Sequence, residues 1–312
     1  MAAGKTHETI MIFQKPELYF FPYYKGIVFS PFGVKERGIL YWIYKVLHIL
    51  RIPVRSVFWG EWKRYIKTAK NVIIFDYGYQ RGMETYIHKI NPACNVYLFY
   101  WNIITPYRIN YKIFTDKELI YSTDMDDCRT YHMKYNTMFY CRQYYRPYQK
   151  MDKDTVFFLG VDKGRSELLL QIKRMLERVG ITCDIRLIAA FQRQSDRERF
   201  ADILTETRLS YTEYLAEIEK SSILLDVVQD GQTAPTMRVM EAIYLSKKLI
   251  TNNHSLMSCD FYNENNIFVL PEELNDSVIE QVKAFLELPF EPYSDEILKK
   301  YDWKEWKNRF QK

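Results

Sequence analysis

The run Ser221–Asn253, "SSILLDVVQDGQTAPTMRVMEAIYLSKKLITNN", constrains the fold more than any other stretch. It reads as an apolar strand (Ile223–Val228), a polar loop, an amphipathic helix opened by Pro235 and a second apolar strand in "KKLITNN". Strands joined through a helix run parallel, and a parallel sheet needs both of its faces covered. The same alternation runs along the chain. "TIMIF" (9–13), "GIVFS" (26–30), "VRSVFW" (54–59), "NVIIFDYG" (71–78), "NVYLFYWN" (95–102), "YKIFT" (111–115), "ELIYST" (118–123) and "TMFY" (137–140) are strand-like. Between them, Ile39, Trp42, Ile43, Val46, Leu47 and Leu50 repeat at helical spacing, and "METYIHKI" stops at Asn91-Pro92. In the second half, "TVFFLG", "CDIRLIA" and "IFVL" are strands. Helices are expected from Glu167, over "SYTEYLAEIEKS" and "NDSVIEQVKAFLEL", and over the terminal "SDEILKKYDWKEWKNRFQK". Leu168, Ile172, Met175, Leu176 and Val179 form one face of the first, which Gly180 ends. The class expected is α/β, with two similar βαβ units joined by a polar, proline-containing linker, "QYYRPYQKMDKD" (143–154).

Composition narrows the function. A hydrophobic fraction of 47% and a charged fraction of 27% fit a soluble globular protein. The longest apolar candidate, "GILYWIYKVLHIL", is too short and too interrupted to span a bilayer. "MAAGKTHETIMIF" lacks the blocks of a secretory signal, so a cytoplasmic location is expected. The five cysteines, at 94, 128, 141, 183 and 259, show neither a CxxC nor zinc spacing, and reduced, buried thiols are expected. Residues 1–150 carry 22 Lys/Arg against 11 Asp/Glu, residues 151–312 carry 22 against 28, and 34 of the 51 aromatic residues fall in the first part. A basic, aromatic half suits an anionic partner such as a lipid phosphate or membrane surface, or else a tyrosine-filled core under a solvated lysine face. No nucleic-acid-binding motif is present, and a nucleic-acid role ranks last.

Ligands of open parallel sheets sit beyond the carboxyl ends of the strands. Two loops meet that condition. "GVDKGRS" follows a strand: Gly160 and Gly164 permit close backbone approach, while Lys163 and Arg165 bring positive charge for an anion. It is neither a Walker A loop nor a dinucleotide fingerprint. The second loop carries Gln232, Thr233 and Thr236, with Thr233 or Ala234 expected at the helix cap. Arg238 and Glu241, three apart, share a helical face, where they form either a surface ion pair or a grip on phosphate and ribose. "DMD" (124–126) matches the Asp-x-Asp of metal-dependent glycosyltransferases. Its place after Ser122-Thr123 and before a helix favours a cap, with the acids in the first turn.

"DVVQDGQTAPTMRVMEAIYLSKKLITNN" resembles the C-terminal-domain signature of GT-B-fold glycosyltransferases of bacterial capsule, exopolysaccharide and lipopolysaccharide synthesis. Gln232, Thr236, Arg238, Glu241, Ala242, Lys247, Lys248, Ile250 and Thr251 match. "SPFGVKERGILYWIYKVLHILRIPVRSVFWG", "STDMDDCRTYHMKYNTMFY" and "FFLGVDKGR" are similar to the first half, the inter-domain region and the second-domain start of the same proteins, so the resemblance spans most of the chain. It implies two Rossmann-like domains facing each other across a cleft. These would be an acceptor domain at 1–145 and a nucleotide-sugar domain at 146–312, with the terminal helix 294–312 able to pack back on the first. It further implies a nucleoside-diphosphate sugar held by Gly160, Lys163, Gly164, Arg165, Gln232, Thr233, Thr236, Arg238 and Glu241, with Glu241 on the ribose and the cations on the diphosphate. A glycan or lipid-linked acceptor would lie near Phe32, Gly33 and Glu36.

No cofactor and no catalytic metal are implied, because basic residues and a helix dipole meet the leaving diphosphate. An inverting reaction would need a base, for which Asp76 and His88 are the candidates by position; Asp76 would otherwise cap a turn. Peripheral attachment to the inner membrane face, through "YWIYKVLHILR" (41–51), is an expectation that a buried core helix would satisfy equally. The competing functions are a related transferase with a non-nucleotide donor, such as a pyruvyltransferase, and a non-catalytic nucleotide- or glycan-binding module.

Overall fold

The computed structural model describes residues 8–14, 27–33, 38–50, 56–105, 110–189 and 193–310. The chain divides into two compact units, Met1–Thr137 with Lys307–Lys312, and Met138–Trp306.

In the first unit the strands are β1 (Thr9–Ile12), β2 (Val28–Phe29), β3 (Asn71–Phe75), β4 (Asn95–Tyr100), β5 (Ile120–Ser122) and β6 (Lys134–Tyr135). They form one sheet in the order β2-β1-β3-β4-β5-β6, parallel throughout. The helices are α1 (Ile39–Ile49), α2 (Met83–Ile90), α3 (Asn110–Ile113) and α4 (Met125–Tyr131). β3 and β4 are buried on both faces from Val72 and Val96 onward, which is why they read as unbroken apolar runs. Phe310 closes the core from the far end of the chain, its ring 5.3 Å from Tyr97, 5.8 Å from Phe99 and 4.7 Å from Tyr121.

The second unit holds β7 (Thr155–Val161), β8 (Thr182–Ile188), β9 (Ile223–Asp226), β10 (Lys248–Thr251) and β11 (Ile267–Val269). Its helices are α5 (Ser166–Arg178), α6 (Gln194–Arg199), α7 (Tyr211–Glu219), α8 (Met237–Tyr244), α9 (Asp276–Glu287), α10 (Asp295–Lys300) and α11 (Trp303–Trp306). The sheet order is β11-β10-β9-β7-β8, again all parallel. Counted along the unit this is the doubly wound order 2-1-3-4-5, and it reverses direction between β7 and β9. Val156, Phe158, Leu225 and Ile250 from the sheet meet Ile172 and Leu176 of α5 and Val282 of α9 in one core.

Several expectations need correction. "TMFY" forms no ladder strand: Tyr140 makes an isolated parallel bridge to Asp302. The strand lies earlier, at Lys134–Tyr135, where both residues are exposed and so leave no apolar pattern. Around "YKIFT" the chain makes the short α3, and Ser56–Phe58 of "VRSVFW" is a 3-10 turn, its first two residues lying outside the described chain. The terminal helix is three short pieces: α10, α11 and a 3-10 turn at Lys307–Arg309. The face of α1 that its periodicity offered to a core is exposed at Ile39, Trp42, Ile43, Val46 and Leu50. That helix is apolar nearly all round, and periodicity alone could not choose its inner side.

Candidate functional site

Both loops singled out in the sequence arrive at the carboxyl ends of β7 and β9, where the strand order reverses and where open parallel sheets bind their ligands. After β7, Asp162 holds the turn into α5: its Oδ1 accepts from Ser166 N at 3.0 Å and its carbonyl from Arg165 N at 3.1 Å. Lys163 and Gly164, both with positive φ (50° and 81°), turn the chain at an exposed tip. Arg165 is thereby folded back over the sheet, with Nη2 donating to Val161 O at 3.0 Å and Nη1 donating to Val227 O. Gly160 allows this: a Cβ there would sit 2.7 Å from Arg165 Nη2.

After β9 the chain makes a turn at Gln229–Gln232 through Gly231 (φ 74°), and the asparagines that end β10 pin the loop. Asn252 Oδ1 accepts from Val228 N at 2.8 Å, and Asn253 Nδ2 donates to Thr233 O and Ala234 O, each at 3.2 Å. The cap of α8 is Thr236, not Thr233 or Ala234. Its Oγ1 accepts from Arg238 N at 3.1 Å and from Val239 N at 3.4 Å, and donates to Asp226 Oδ1 at 2.9 Å. Pro235 therefore precedes the cap rather than opening the helix.

Arg238 and Glu241 do not pair with each other on a surface. Arg238 keeps only 12% of its side chain exposed; Nη1 meets Asp226 Oδ1 at 3.2 Å and Nη2 donates to Leu159 O at 2.8 Å. Its guanidinium lies 4.5 Å from the Phe158 ring centroid, and Arg165 lies 4.9 Å from the same centroid. Neither Nε has a hydrogen-bond partner among the described residues. Two cations thus share one aromatic ring and one fully buried carboxylate, Asp226. Burial first, then the charge of Arg238, pulls Arg165 down to about 10, which still leaves it protonated at neutral pH.

Glu241 sits behind this pair and is 1% exposed. Oε1 accepts from Tyr211 OH at 3.1 Å and Oε2 from Tyr214 OH at 2.8 Å, and Tyr140 OH bonds Tyr211 OH in turn. Burial pushes the Glu241 carboxyl up to about 7, against the opposing pull of Tyr214 and Arg238. Each oxygen accepts from one tyrosine and the residue is buried, so in this geometry Glu241 presents no surface to a ribose. Asp226, Phe158, Tyr211 and Tyr214 were not singled out in the sequence. The available signals were a carboxylate ending an apolar strand and a Tyr pair three apart on one helix face.

Gly160, Lys163, Gly164, Arg165, Gln232, Thr233, Thr236 and Arg238 all fall at this sheet edge. At the carboxyl end of neighbouring β8, a cavity of about 180 Å³ is lined by Ala189, Arg197, Leu204, Thr205 and Glu206.

In the first unit, Asp76 follows β3 beside β1, at the corresponding reversal of strand order. It is 2% exposed; Asn110 Nδ2 donates to its carbonyl at 2.6 Å, and Asn102 Nδ2 lies 3.5 Å from Oδ2. His88 lies at the opposite edge, near the end of α2, its Nε2 3.1 Å from the carbonyl of Cys94 just ahead of β4. The structure thus separates the two candidate bases. Phe32 packs on Tyr44 at 4.6 Å, Gly33 N donates to Phe58 O at 3.0 Å, and Glu36 lies outside the described residues. Asp124 caps α4, accepting from Asp126 N at 2.9 Å and Asp127 N at 3.1 Å. Asp127, in the first turn of α4, is buried and pushed up to about 6 by burial, with Ile104 N at 2.8 Å opposing the shift.

The fold and this edge define an α/β protein of two parallel-sheet units with two arginines gathered at the strand-order reversal of the second. No protein-family model matches the chain, and none of the curated proteins does. Among solved structures, one similar to it is "lipopolysaccharide outer core galactosyltransferase WaaB apo form", at 12% identity and a TM-score of 0.45 over 88% of this chain and 80% of that one. A likeness at that level is too distant to carry function, and the fold class stands on the two parallel sheets.

Proposed function

We propose that this protein is a GT-B-type glycosyltransferase that takes its sugar from a nucleoside diphosphate donor and passes it to a glycan or lipid-linked acceptor. The observation that carries the reading is the convergence of Arg165 and Arg238 on Phe158 at the β7/β9 reversal, where Asp226 pairs with Arg238. Both Nε–H groups lack a hydrogen-bond acceptor among the described residues, and charge in such a buried place acts more strongly than in water. A diphosphate would supply that acceptor. In the reaction the bond from the anomeric carbon to the diphosphate oxygen breaks and one to the acceptor oxygen forms. The charge gathering on the departing diphosphate meets the arginines, which need no metal for that role. Lys163, Gly164, Gln232 and Thr233 form the rim around the donor. Glu241 stands one layer back, holding α7 to α8 through its two tyrosines and keeping the face with Arg238 in place.

On the acceptor side Asp76 and Asp127, whose charges add to the burial that chiefly raises the Tyr100 hydroxyl, would receive the acceptor's proton. His88, at the other edge, takes no part in the proposal.

The test is thermal denaturation of the whole protein with UDP, GDP, CDP and ADP. One of them should raise the melting temperature as its concentration rises. Arg165→Met should weaken that ligand about tenfold to a hundredfold, the scale of a lost charge-assisted hydrogen bond. Stabilisation by none of the four would turn the reading toward a non-nucleotide donor. Binding without sugar transfer to any lipid-linked glycan would turn it toward a binding module.

A further inference from the structure

Helix α1 holds a large exposed apolar surface with no partner among the described residues. Ile39 is 82% exposed, Trp42 61%, Ile43 44%, Val46 51%, Ile49 76% and Leu50 61%. Spaced by three or four, they form one stripe along the helix. The opposite side is anchored, Tyr44 lying 4.6 Å from Phe32 and 6.4 Å from Phe58. So much exposed apolar surface marks an interaction site.

Charge decides what covers it. From Gly38 to Gly60 the sequence has three Lys/Arg residues and no Asp or Glu. A second copy laid face to face would bring this cationic segment against itself, which costs energy. An anionic surface would neutralise it. Lys45 Nζ lies over the rings of Tyr41 and Trp42, at 5.1 and 5.4 Å, which sets a cation beside the stripe, where an anionic headgroup would meet it. Trp42 is the residue type that settles at the headgroup level. With 11 residues the helix spans about 16 Å, and no described helix is long and apolar enough to cross a membrane. It can lie in the interface, not through it.

We infer that α1 is a lipid-docking helix that beds its Ile39–Leu50 stripe into the headgroup–acyl boundary of an anionic phospholipid bilayer. This deepens the proposed function on the acceptor side, since a lipid-linked acceptor is met at such a surface, but the stripe is read without reference to the donor site.

The experiment uses the whole protein with phosphatidylglycerol or phosphatidylcholine vesicles at low salt. Trp42 is the one tryptophan that is exposed; the other five are at most 8% exposed. Sedimentation with the anionic vesicles, together with a blue-shifted emission quenched by brominated acyl chains, is the expected result. Trp42→Phe should keep binding and lose the shift. Ile43→Glu/Val46→Glu should cut the bound fraction at least tenfold, with unchanged melting temperature and unchanged response to nucleotides. Binding without a Trp42 signal, or unaffected by the double substitution, overturns the inference. So does a core-sized loss of stability, which would show that the chain covers the stripe itself. A wild-type dimer that the double variant dissociates would overturn it too, in favour of a second copy. Loss of vesicle binding with nucleotide stabilisation intact sinks this inference alone.

Discussion

Replacing Glu241 by glutamine tests the physics of the candidate site's inner layer. The carboxyl is buried, and its value of about 7 stands well above the ordinary 4.5. A carboxyl whose folded value is raised binds its proton more tightly in the folded state. Stability is therefore greatest at low pH and falls as pH rises from 4.5 to 7, after which the cost is constant. The gap between the two values corresponds to about 3 kcal/mol. The side chain introduced by Glu241→Gln is nearly isosteric with the protonated acid: it can accept from one tyrosine and donate to the other, and it carries no charge to bury. The two proteins should therefore differ least near pH 5, and the variant should gain up to about pH 7 and hold that gain to pH 8. For a unit of this size about 3 kcal/mol is roughly 6–12 °C. Melting curves of both proteins at half-unit intervals from pH 5 to 8 measure the difference, and groups common to both cancel. Parallel curves would refute the argument, because they would mean that Glu241 is solvated or fully compensated by Arg238. A variant that loses ground as pH rises would reverse the sign and show the carboxylate to be net stabilised.

Two further substitutions probe the site from other directions. Gly160→Ala places a Cβ 2.7 Å from Arg165 Nη2 and 3.1 Å from Phe158 Cζ, so the guanidinium must swing away. Urea unfolding should show a loss of about 1–3 kcal/mol, and the nucleoside diphosphate response should weaken about as much as in Arg165→Met. Asp124→Ala strips two amides of α4 of their acceptor and should cost about 1–2 kcal/mol by the same measurement. If Asp124 is only a cap, sugar transfer by the unmodified protein should survive EDTA; loss restored by Mn²⁺ would return the Asp-x-Asp segment to the reaction.

The parts of the fold legible in the sequence are those whose burial is complete. β3 and β4 lie inside a sheet, so every residue but the first is buried and the run declares itself. α5 has one buried face, at Leu169, Ile172, Met175 and Leu176, and α7 carries a Ser210–Glu213 capping box. The elements that escaped are held by backbone pairing or by neighbours distant in sequence. β6 pairs with β5 through two exposed residues, and the short α6 has no buried residue at all. The candidate site was legible as two loops but not as a layered object. Nothing in "TMRVMEA" says that the Arg turns to Asp226 or that the Glu turns to two tyrosines of α7. Those choices depend on which helix packs behind α8, a tertiary fact. The cap shifted for a similar reason: Thr236 wins over Thr233 because Asp226 lies within reach of its hydroxyl.

The seat of Phe310 has a consequence for how the chain is made. Tyr97 OH reaches the Phe310 carbonyl at 3.4 Å across 213 residues of sequence, and the same ring packs on β4 and β5. The first unit is thus the earliest to be synthesised and the last to be completed. Until residue 310 has left the ribosome, that side of its sheet lacks its last aromatic cover, although every strand of the sheet was made before residue 138. Such a long-range closure slows folding and prolongs the life of an open, apolar intermediate. The few residues after Trp306 therefore act as a latch on a domain whose other parts all lie before residue 138.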